Sequence, residues 1–270
     1  MRLRHLWLLA AVSAGSAQAA VIAPHRAIYD LKMVQSNQGA ALSSIEGRLA
    51  FEVVGTSCDG WTVSFRMVNR FVPTEGPGRL VDTQSTSFES GDGTRMDYSE
   101  KEFVNQKLQA ETRIKVSRST VESVGEGRIL PPKDKVFELP MAAAFPMQHQ
   151  LRLMDKAAQG EQRDTSVIFD GSDGENAFRA ITFIGKEKPA GENQRDQANA
   201  EAAGLSSLRS WPVSISYYSA SGDSQDVPAY QIGFDLYENG VATGLKMDYG
   251  QFKLEGQMKK LELLPVESCN

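Results

Sequence analysis

The sequence contains few residues of the types that build catalytic and metal-binding sites. Its 270 residues include 2 cysteines and 3 histidines, and His5 lies in the N-terminal segment described below. Neither a Gly-x-Ser-x-Gly elbow nor a His-Glu-x-x-His motif occurs. The chain therefore lacks the usual markers of serine hydrolases and zinc peptidases. We therefore expect neither kind of chemistry and no metal site of the zinc-peptidase type.

The chain also lacks a large excess of charge of one sign. Its formal net charge is -5, and no basic block is present that could neutralise phosphates, so we expect no nucleic-acid partner. Beyond the N-terminus there is no apolar run of the about 20 residues that a membrane-spanning helix needs. We therefore do not expect the protein to span a membrane.

The N-terminal segment has the three parts of a secretory signal peptide. Arg2 and Arg4 are basic, residues 6–12 are apolar, and Ala17-Gln18-Ala19 is a small-x-small cleavage site. This pattern predicts a signal peptide at residues 1–19 and an exported mature chain. The alternative is an N-terminal membrane anchor that is never cleaved.

Two cysteines in an exported chain are most simply explained by one disulfide. Cys58 lies in a predicted turn and Cys269 is the penultimate residue, so a bond between them would close a loop of nearly the whole mature chain. Chain-entropy arguments give such a bond up to roughly 5 kcal/mol of stabilisation. A redox or nucleophilic role is the alternative, but Cys58 has no Cys-x-x-Cys companion.

Most of the mature chain alternates apolar with polar residues, which is typical of half-buried antiparallel strands. An Asn-Gly pair at Asn239-Gly240 predicts a hairpin between two of these runs. About a dozen strands are expected, and so many need a barrel or packed sheets to protect their edges. We predict a mainly β fold, a single domain over residues 20–270, in which one large antiparallel sheet is curled into a barrel-like shape and closed by the cysteine pair. The predicted strands are residues 25–35, 45–54, 61–68, 79–89, 94–103, 108–116, 165–169, 177–184, 211–218, 229–237, 241–249 and 252–264.

One helix is predicted in the middle of the chain, from about Pro146 to Gln159. Leu151, Met154 and Ala158 would form its apolar face, which would pack against the sheet. Residues 186–207 lose the alternation and are rich in polar residues, which predicts a mobile surface loop. A linker between two domains is the alternative for this segment.

Two segments could carry chemistry. His149 could act as a general base, or it could cap the helix or bond to a strand carbonyl. Asp170-Gly171-Ser172-Asp173-Gly174-Glu175-Asn176 has clustered oxygen ligands, but its spacing departs from a calcium-binding EF-hand loop and also suits a tight turn. No pair of carboxylates can be assigned to glycoside cleavage, because nothing in the sequence fixes their separation.

Several aromatic residues could line a ligand cavity if the sheet forms a wide barrel, or they could fill its core. They are Trp61, Phe65, Trp211, Tyr217, Tyr218, Phe234 and Tyr237.

A set of short motifs in a fixed order gives the chain a resemblance to a known family. The motifs are Cys58-Asp59-Gly60-Trp61, Phe145-Pro146-Met147-Gln148-His149, Phe169-Asp170-Gly171-Ser172, Tyr237-Glu238-Asn239-Gly240, Asp248-Tyr249-Gly250 and Cys269. With them the chain resembles the EipB family of periplasmic cell-envelope integrity proteins over essentially the whole mature chain. The resemblance implies a spiral-like antiparallel fold of about fourteen strands, a Cys58–Cys269 disulfide, no known catalytic residues and no cofactor. It also suggests periplasmic protein partners, including one of the tetratricopeptide-repeat type.

Three functions remain open at this point. The first is a non-enzymatic periplasmic protein that supports outer-envelope integrity through protein contacts. The second is a carrier or sensor of a lipid or lipoprotein, which requires an apolar cavity of several hundred cubic ångströms. The third is a hydrolase of envelope polymers, which requires His149 or an acidic pair in a cleft with perturbed pKa values.

Overall fold

A computed structural model of the protein describes residues 20–37, 39, 41–192, 204–219 and 227–266. The signal peptide predicted at residues 1–19 lies outside the described residues, as does Cys269. Both therefore stay predictions from the sequence.

The described residues form fourteen β-strands in one antiparallel sheet, with one α-helix. The mainly β class, the single large sheet and the one helix are thereby confirmed. In chain order the elements are β1 (His25–Ser36), β2 (Leu42–Thr56), β3 (Gly60–Pro73), β4 (Arg79–Glu89), β5 (Arg95–Val104), β6 (Lys107–Ser117), β7 (Gly125–Ile129), β8 (Lys135–Leu139), α1 (Pro146–Ala158), β9 (Arg163–Ile168), β10 (Phe178–Ile184), β11 (Ser210–Ser219), β12 (Tyr230–Tyr237), β13 (Ala242–Asp248) and β14 (Phe252–Leu263).

The two ends of the described chain meet in the middle of the sheet. The spatial order of the strands is β8-β7-β6-β5-β4-β3-β2-β1-β14-β13-β12-β11-β10-β9, so β1 and β14 are neighbours and β8 and β9 are the edges. Backbone pairing joins β1 to β14, for example at Ala27 and Leu261. Cys58 lies in the turn between β2 and β3, away from both edges. The expectation that the cysteine pair closes the sheet is therefore wrong, because no bond from Cys58 joins one edge to the other.

The edge at β9 is covered by the segment that leads into α1. Ala144 forms a parallel bridge with Ile168: its backbone N–H donates to the Val167 carbonyl over 2.8 Å, and the Phe169 N–H donates to the Ala144 carbonyl over 3.0 Å. The chain thus leaves one edge of the sheet at β8, crosses to the other edge, and protects part of it from further strand pairing.

Helix α1 lies against the concave face of the sheet and begins at the predicted residue. Its buried residues are Met147, His149, Leu153, Met154 and Ala157. Of the predicted face, Met154 is buried, whereas Leu151 is half-buried and Ala158 is exposed. The prediction was right for Met154 and wrong for Ala158, because the buried stripe passes through Leu153, Met154 and Ala157 instead.

Two short strands, β7 and β8, were missed by the sequence pattern. They hold five residues each and contain few inward apolar side chains. Gly127 is paired with Phe137, and a Cβ at Gly127 would lie 2.1 Å from the Phe137 ring. The absence of a side chain at Gly127 thus lets the Phe137 ring lie over the neighbouring strand.

The Asn239-Gly240 hairpin between β12 and β13 is confirmed, with a φ of 84° at Gly240 that favours glycine.

Both described flanks of the predicted mobile loop are attached to the sheet. Lys188 forms an antiparallel bridge with Ser210, and its Nζ lies 2.8 Å from the buried Asp235 carboxylate. On the other side Leu205 is fully buried. Mobility stays a prediction for residues 193–203, which lie outside the described residues.

Within the described ranges, no helix has both the length and the apolar character needed to cross a bilayer.

A buried carboxylate from β4 replaces the missing cap of α1. Phe145, the N-cap residue, makes no side-chain capping hydrogen bond. Instead the Met147 N–H donates to both oxygens of Glu89, over 3.2 and 3.0 Å. Burial raises the pKa of Glu89 to about 8, although hydrogen bonds from the Met147 and Gln148 backbone oppose the shift. Glu89 thereby holds the start of the helix on the sheet.

Arg118, just after β6, fixes the same segment from another side. Its guanidinium is largely buried, donates to the Ala143 carbonyl over 2.6 Å and to the Gly93 carbonyl over 2.9 Å, and lies 4.8 Å from the Phe145 ring centroid. These bonds tie the entry of α1 to the first half of the sheet.

Substitution of Glu89 should separate its hydrogen-bonding role from its charge. Glu89→Ala leaves a buried N–H without its acceptor and should lower the free energy of unfolding by about 1–3 kcal/mol. Glu89→Gln keeps an acceptor and should be milder. The pKa of Glu89 in the folded protein lies above that of an ordinary glutamate, so between about pH 5 and 8 the folded wild type binds more protons than the unfolded chain. The free energy of unfolding of the wild type should therefore fall as the pH rises across that range, relative to that of the glutamine variant. Denaturant unfolding at several pH values measures this, and parallel pH profiles for the two proteins would contradict it.

Candidate functional site

The concave side of the sheet encloses a largely apolar cavity of about 290 Å³ beneath α1. Its walls come from both ends of the chain, since β1 and β2 face β11 to β13 across it. The lining residues are His25, Tyr29, Leu49, Phe51, Pro146, His149, Gln150, Leu153, Ile168, Asp170, Ile215, Tyr217, Ile232, Phe234, Leu236, Gly240, Ala242 and Leu245. The interior is therefore not completely filled, as a carrier requires.

The cavity brings together both histidines of the predicted mature chain. The His25 ring is bonded through Nδ1 to the Ala23 carbonyl at 2.7 Å and lies 5.6 Å from the Phe51 ring. Burial lowers the pKa of His25, against the effect of the Ala23 hydrogen bond, and so favours the neutral ring. His149 reaches the same cavity from α1.

His149 is held beside a carboxylate that also anchors the helix. Its Nε2 is buried and lies 3.6 Å from Asp164 Oδ2, too far for a hydrogen bond. Arg152 Nε donates to Asp164 Oδ1 over 2.8 Å, and Lys156 Nζ lies 3.8 Å from the same oxygen. Burial alone would raise the pKa of Asp164, but His149, the Ser166 hydrogen bond and Arg152 together hold this pKa well below its usual range.

This arrangement suits attachment of α1 to β9 better than hydrolysis. A general base needs a nucleophile within hydrogen-bond distance. The hydroxyl of Ser166 is bonded to the same carboxylate, since its Oγ donates to Asp164 Oδ2 over 2.5 Å. Among the described residues, no hydroxyl is bonded to His149 Nε2. His149 also neither caps the helix nor donates this nitrogen to a strand carbonyl, so both alternative roles from the sequence are wrong for Nε2.

The carboxylates of the segment 170–176 do not converge on one point. Asp170 Oδ1 accepts hydrogen bonds from the Ser172 N–H and Oγ, over 2.9 and 2.7 Å. Asp173 accepts from Asn176, and Glu175 pairs with Lys135. Nowhere in the described part of the chain do three histidine, cysteine, aspartate or glutamate side chains form a group that could hold a metal ion. The segment is a turn that presents Asp170 to the cavity.

The environment of Asp170 disfavours negative charge. Burial raises the pKa of Asp170, the two Ser172 hydrogen bonds oppose this, and Asp173 adds to the rise. On β5, burial likewise raises the pKa of Glu100, with a smaller contribution from Asp170. Among the described residues that line the cavity, Asp170 is the one carboxylate, and none is a lysine or arginine.

The predicted aromatic residues divide between core and cavity. The cavity is lined by Tyr217 and Phe234. The surrounding core contains Trp61, Trp211 and Tyr237, which are buried. Tyr218 lies outside the cavity, with the Arg179 guanidinium over its ring. The Tyr217 and Tyr230 rings are stacked with centroids 4.5 Å apart. From there the contacts continue through Tyr249 and Phe252 to Phe71. A row of contacting rings thus connects β11 with β3.

The sequence did not identify Asp164, Asp170 or His25 as members of one site. A signal existed for Asp164, because the alternation in β9 places it on the same inward face as Ser166 and Ile168. No local signal indicated that Asp170 and His25 line one cavity, since they meet only when the two halves of the sheet face each other.

Cys58 is located at the turn between β2 and β3, and the described residues include no free cysteine. The turn is ordered by Thr56, whose hydroxyl accepts hydrogen bonds from the Cys58 and Asp59 N–H groups, each over 3.2 Å. Because Cys269 lies outside the described residues, the Cys58–Cys269 pairing stays a prediction.

Three comparisons relate the chain to known proteins. Residues 16–265 match a family described as EipB-like. The chain is 31% identical over 259 residues to the cell envelope integrity protein EipB of Brucella abortus, covering 96% of this chain and 90% of that protein. Its fold is similar to the crystal structure of a beta-barrel-like protein of a domain of unknown function from Brucella abortus, with a TM-score of 0.83, 30% identity, and coverage of 92% of this chain and all of the other.

Replacement of Asp164 should reveal how strongly the ion network holds α1. Asp164→Asn should lower the free energy of unfolding at neutral pH by about 2–3 kcal/mol, because Arg152 and Lys156 lose their buried partner. The pKa of Asp164 is lowered in the folded protein, so its stabilising effect is present above the ordinary aspartate pKa and is lost as the pH falls below about 4. The free energies of unfolding of the wild type and of the variant should therefore converge at low pH. Asp155→Asn, an exposed change on the same helix, serves as the control in urea unfolding. A constant difference down to pH 2 would contradict the assignment.

The two cysteines should behave as one unit. Cys58→Ser and Cys269→Ser should each lower the stability of the exported protein by about 2–5 kcal/mol. The double variant should be no less stable than either single variant, because the same bond is lost in all three. Thermal unfolding and non-reducing electrophoresis measure this, and additive losses would instead indicate two separate roles.

Proposed function

Since this chain belongs to the EipB-like family, we propose that it maintains the integrity of the cell envelope, the role that the name of the Brucella abortus relative states for that protein. The observation that carries the proposal is the match across 96% of this chain, which includes the strands, the helix and the cavity walls described above. A role assigned from only part of the chain would have weaker support.

The proposed location is the periplasm. Support comes from the basic, apolar and small-residue parts of the segment 1–19. The second support is the presence of two cysteines, because the disulfide predicted between them would need an oxidising compartment.

The proposed mode of action is binding to envelope proteins, without catalysis. The outer face near the β9 edge offers a surface of the right kind: Phe183 is 50% exposed and Val167 38% exposed. The Arg163 guanidinium lies 5.4 Å from the Phe183 ring centroid, and Arg179 lies 4.3 Å from the Tyr218 ring centroid. Aromatic and arginine side chains are enriched in protein interfaces. The bonding of Asp164 to Arg152 and Ser166, rather than to a base poised on a hydroxyl, also favours a binding role.

A second candidate is a carrier or sensor of a small hydrophobic envelope component. The apolar cavity beneath α1 favours it, since its volume lies at the low end of the range for small-molecule sites. The two candidates are compatible, because occupancy of the cavity could accompany binding to a protein.

Deletion and complementation test the proposed function. Loss of the gene should sensitise cells to detergent and to cell-wall antibiotics, and wild-type protein should restore resistance. His149→Gln, at equal periplasmic protein level, should restore it equally, because no catalytic step through that residue is required. Full resistance in the deletion strain would overturn the envelope role, and failure of the folded His149→Gln variant would overturn the non-catalytic mode.

A further inference from the structure

We propose that the cavity beneath α1 binds a single-chain amphiphile with an ammonium head group, which places its chain among the apolar walls and its positive charge beside Asp170. This inference rests on the second candidate function, a carrier or sensor, and specifies the chemistry of its ligand.

The walls suit one apolar chain. Phe51, Ile215, Ile232 and Phe234 face the cavity from β2, β11 and β12, and Leu153 closes it from α1. Burial of such a chain is favoured in proportion to the apolar area removed from water. A volume of about 290 Å³ is at the low end for ligand sites, which favours one chain over a two-chain lipid.

The charge of the walls selects the head group. Asp170 is the one carboxylate among the described lining residues, with no lysine or arginine to balance it. His25 supplies no compensating charge, because burial lowers its pKa. A ligand with a carboxylate or phosphate head group would bring a second negative charge toward Asp170. An ammonium head group would instead offset the unfavourable burial of the Asp170 carboxylate.

Asp170 retains an acceptor for such a group. Both hydrogen bonds that Ser172 donates go to Oδ1, so Ser172 leaves Oδ2 available on the carboxylate that lines the cavity. The turn fixes the carboxylate before a ligand arrives, so little side-chain order has to be gained on binding.

An aromatic face lies close to the same carboxylate. Tyr217 lines the cavity and stacks on Tyr230. Burial raises the pKa of both hydroxyls, and the negative charge of Asp170 adds to the rise for each of them. Tyr217 and Asp170 line the same cavity, and the face of a tyrosine ring attracts ammonium groups.

The test compares three ligands of equal chain length, decylamine, decanol and decanoate, by isothermal titration against the mature protein at neutral pH. Decylamine should bind at least about tenfold more tightly than decanol, and decanoate more weakly than decanol. Asp170→Asn keeps the oxygen that Ser172 bonds and removes the charge. This variant should lose the preference for the amine while still binding decanol.

Two further variants complete the design. Asp173→Asn removes an exposed carboxylate of the same turn that does not line the cavity, and this variant should keep the preference for the amine, because the charge of Asp170 remains. Ala242→Leu adds volume inside the cavity and should weaken all three ligands. Thermal unfolding establishes that each variant is folded.

Three results would overturn the inference: no binding of any ligand by the folded wild type, decanoate binding as tightly as decylamine, or an Asp170→Asn variant with an undiminished amine preference. The outcome is separable from that of the proposed function. If Asp170→Asn loses amine selectivity but restores envelope resistance in the deletion strain, the ligand assignment stands and the envelope role does not depend on it.

Discussion

The curved shape of the sheet depends on the short segment that leads into α1, because this segment is bonded to both halves of a sheet whose edges do not meet. Glu89 on β4 accepts the Met147 N–H, and Arg118 after β6 donates to the Ala143 carbonyl. On the other side Ala144 pairs with Ile168 on β9. A fourteen-stranded antiparallel sheet with exposed edges would otherwise be free to flatten or to pair with other chains.

The same attachment creates the cavity. Because α1 is held at its N-terminus by Glu89 and along one side by Asp164, it lies at one end of the concave face and does not fill all of it. The space that remains lies between β1 and β2 on one side and β11 to β13 on the other. Stabilising charges and the ligand site are therefore neighbours: His149 contacts the Asp164 network on one side and lines the cavity on the other.

Membership of the EipB-like family and the geometry of the interior answer different questions. The family match covers the whole folded unit and supports a role in the envelope. It does not say what the protein binds, because the same fold can carry different sites. That question is addressed by the apolar walls, by the carboxylate of Asp170 and by the exposed Phe183 near the edge of the sheet.

The sequence by itself determined the class of structure, twelve of the strands, the single helix and its first residue. These follow from local rules: side chains alternate between the faces of a strand, proline fits the first turn of a helix, and Asn-Gly fits a tight hairpin. It missed β7 and β8, which are short and have little apolar alternation. On α1 it placed Met154 correctly but took Ala158 for Ala157 as the buried alanine, because the rotation of a helix about its axis is fixed by what it packs against. Only the tertiary structure decided that β1 and β14 pair in the middle of the sheet, that Asp164 and His149 become neighbours, and that Asp170 enters a cavity shared with His25. Those contacts join residues far apart in the chain, and their cause is the curvature of the sheet, which no local pattern of residues specifies.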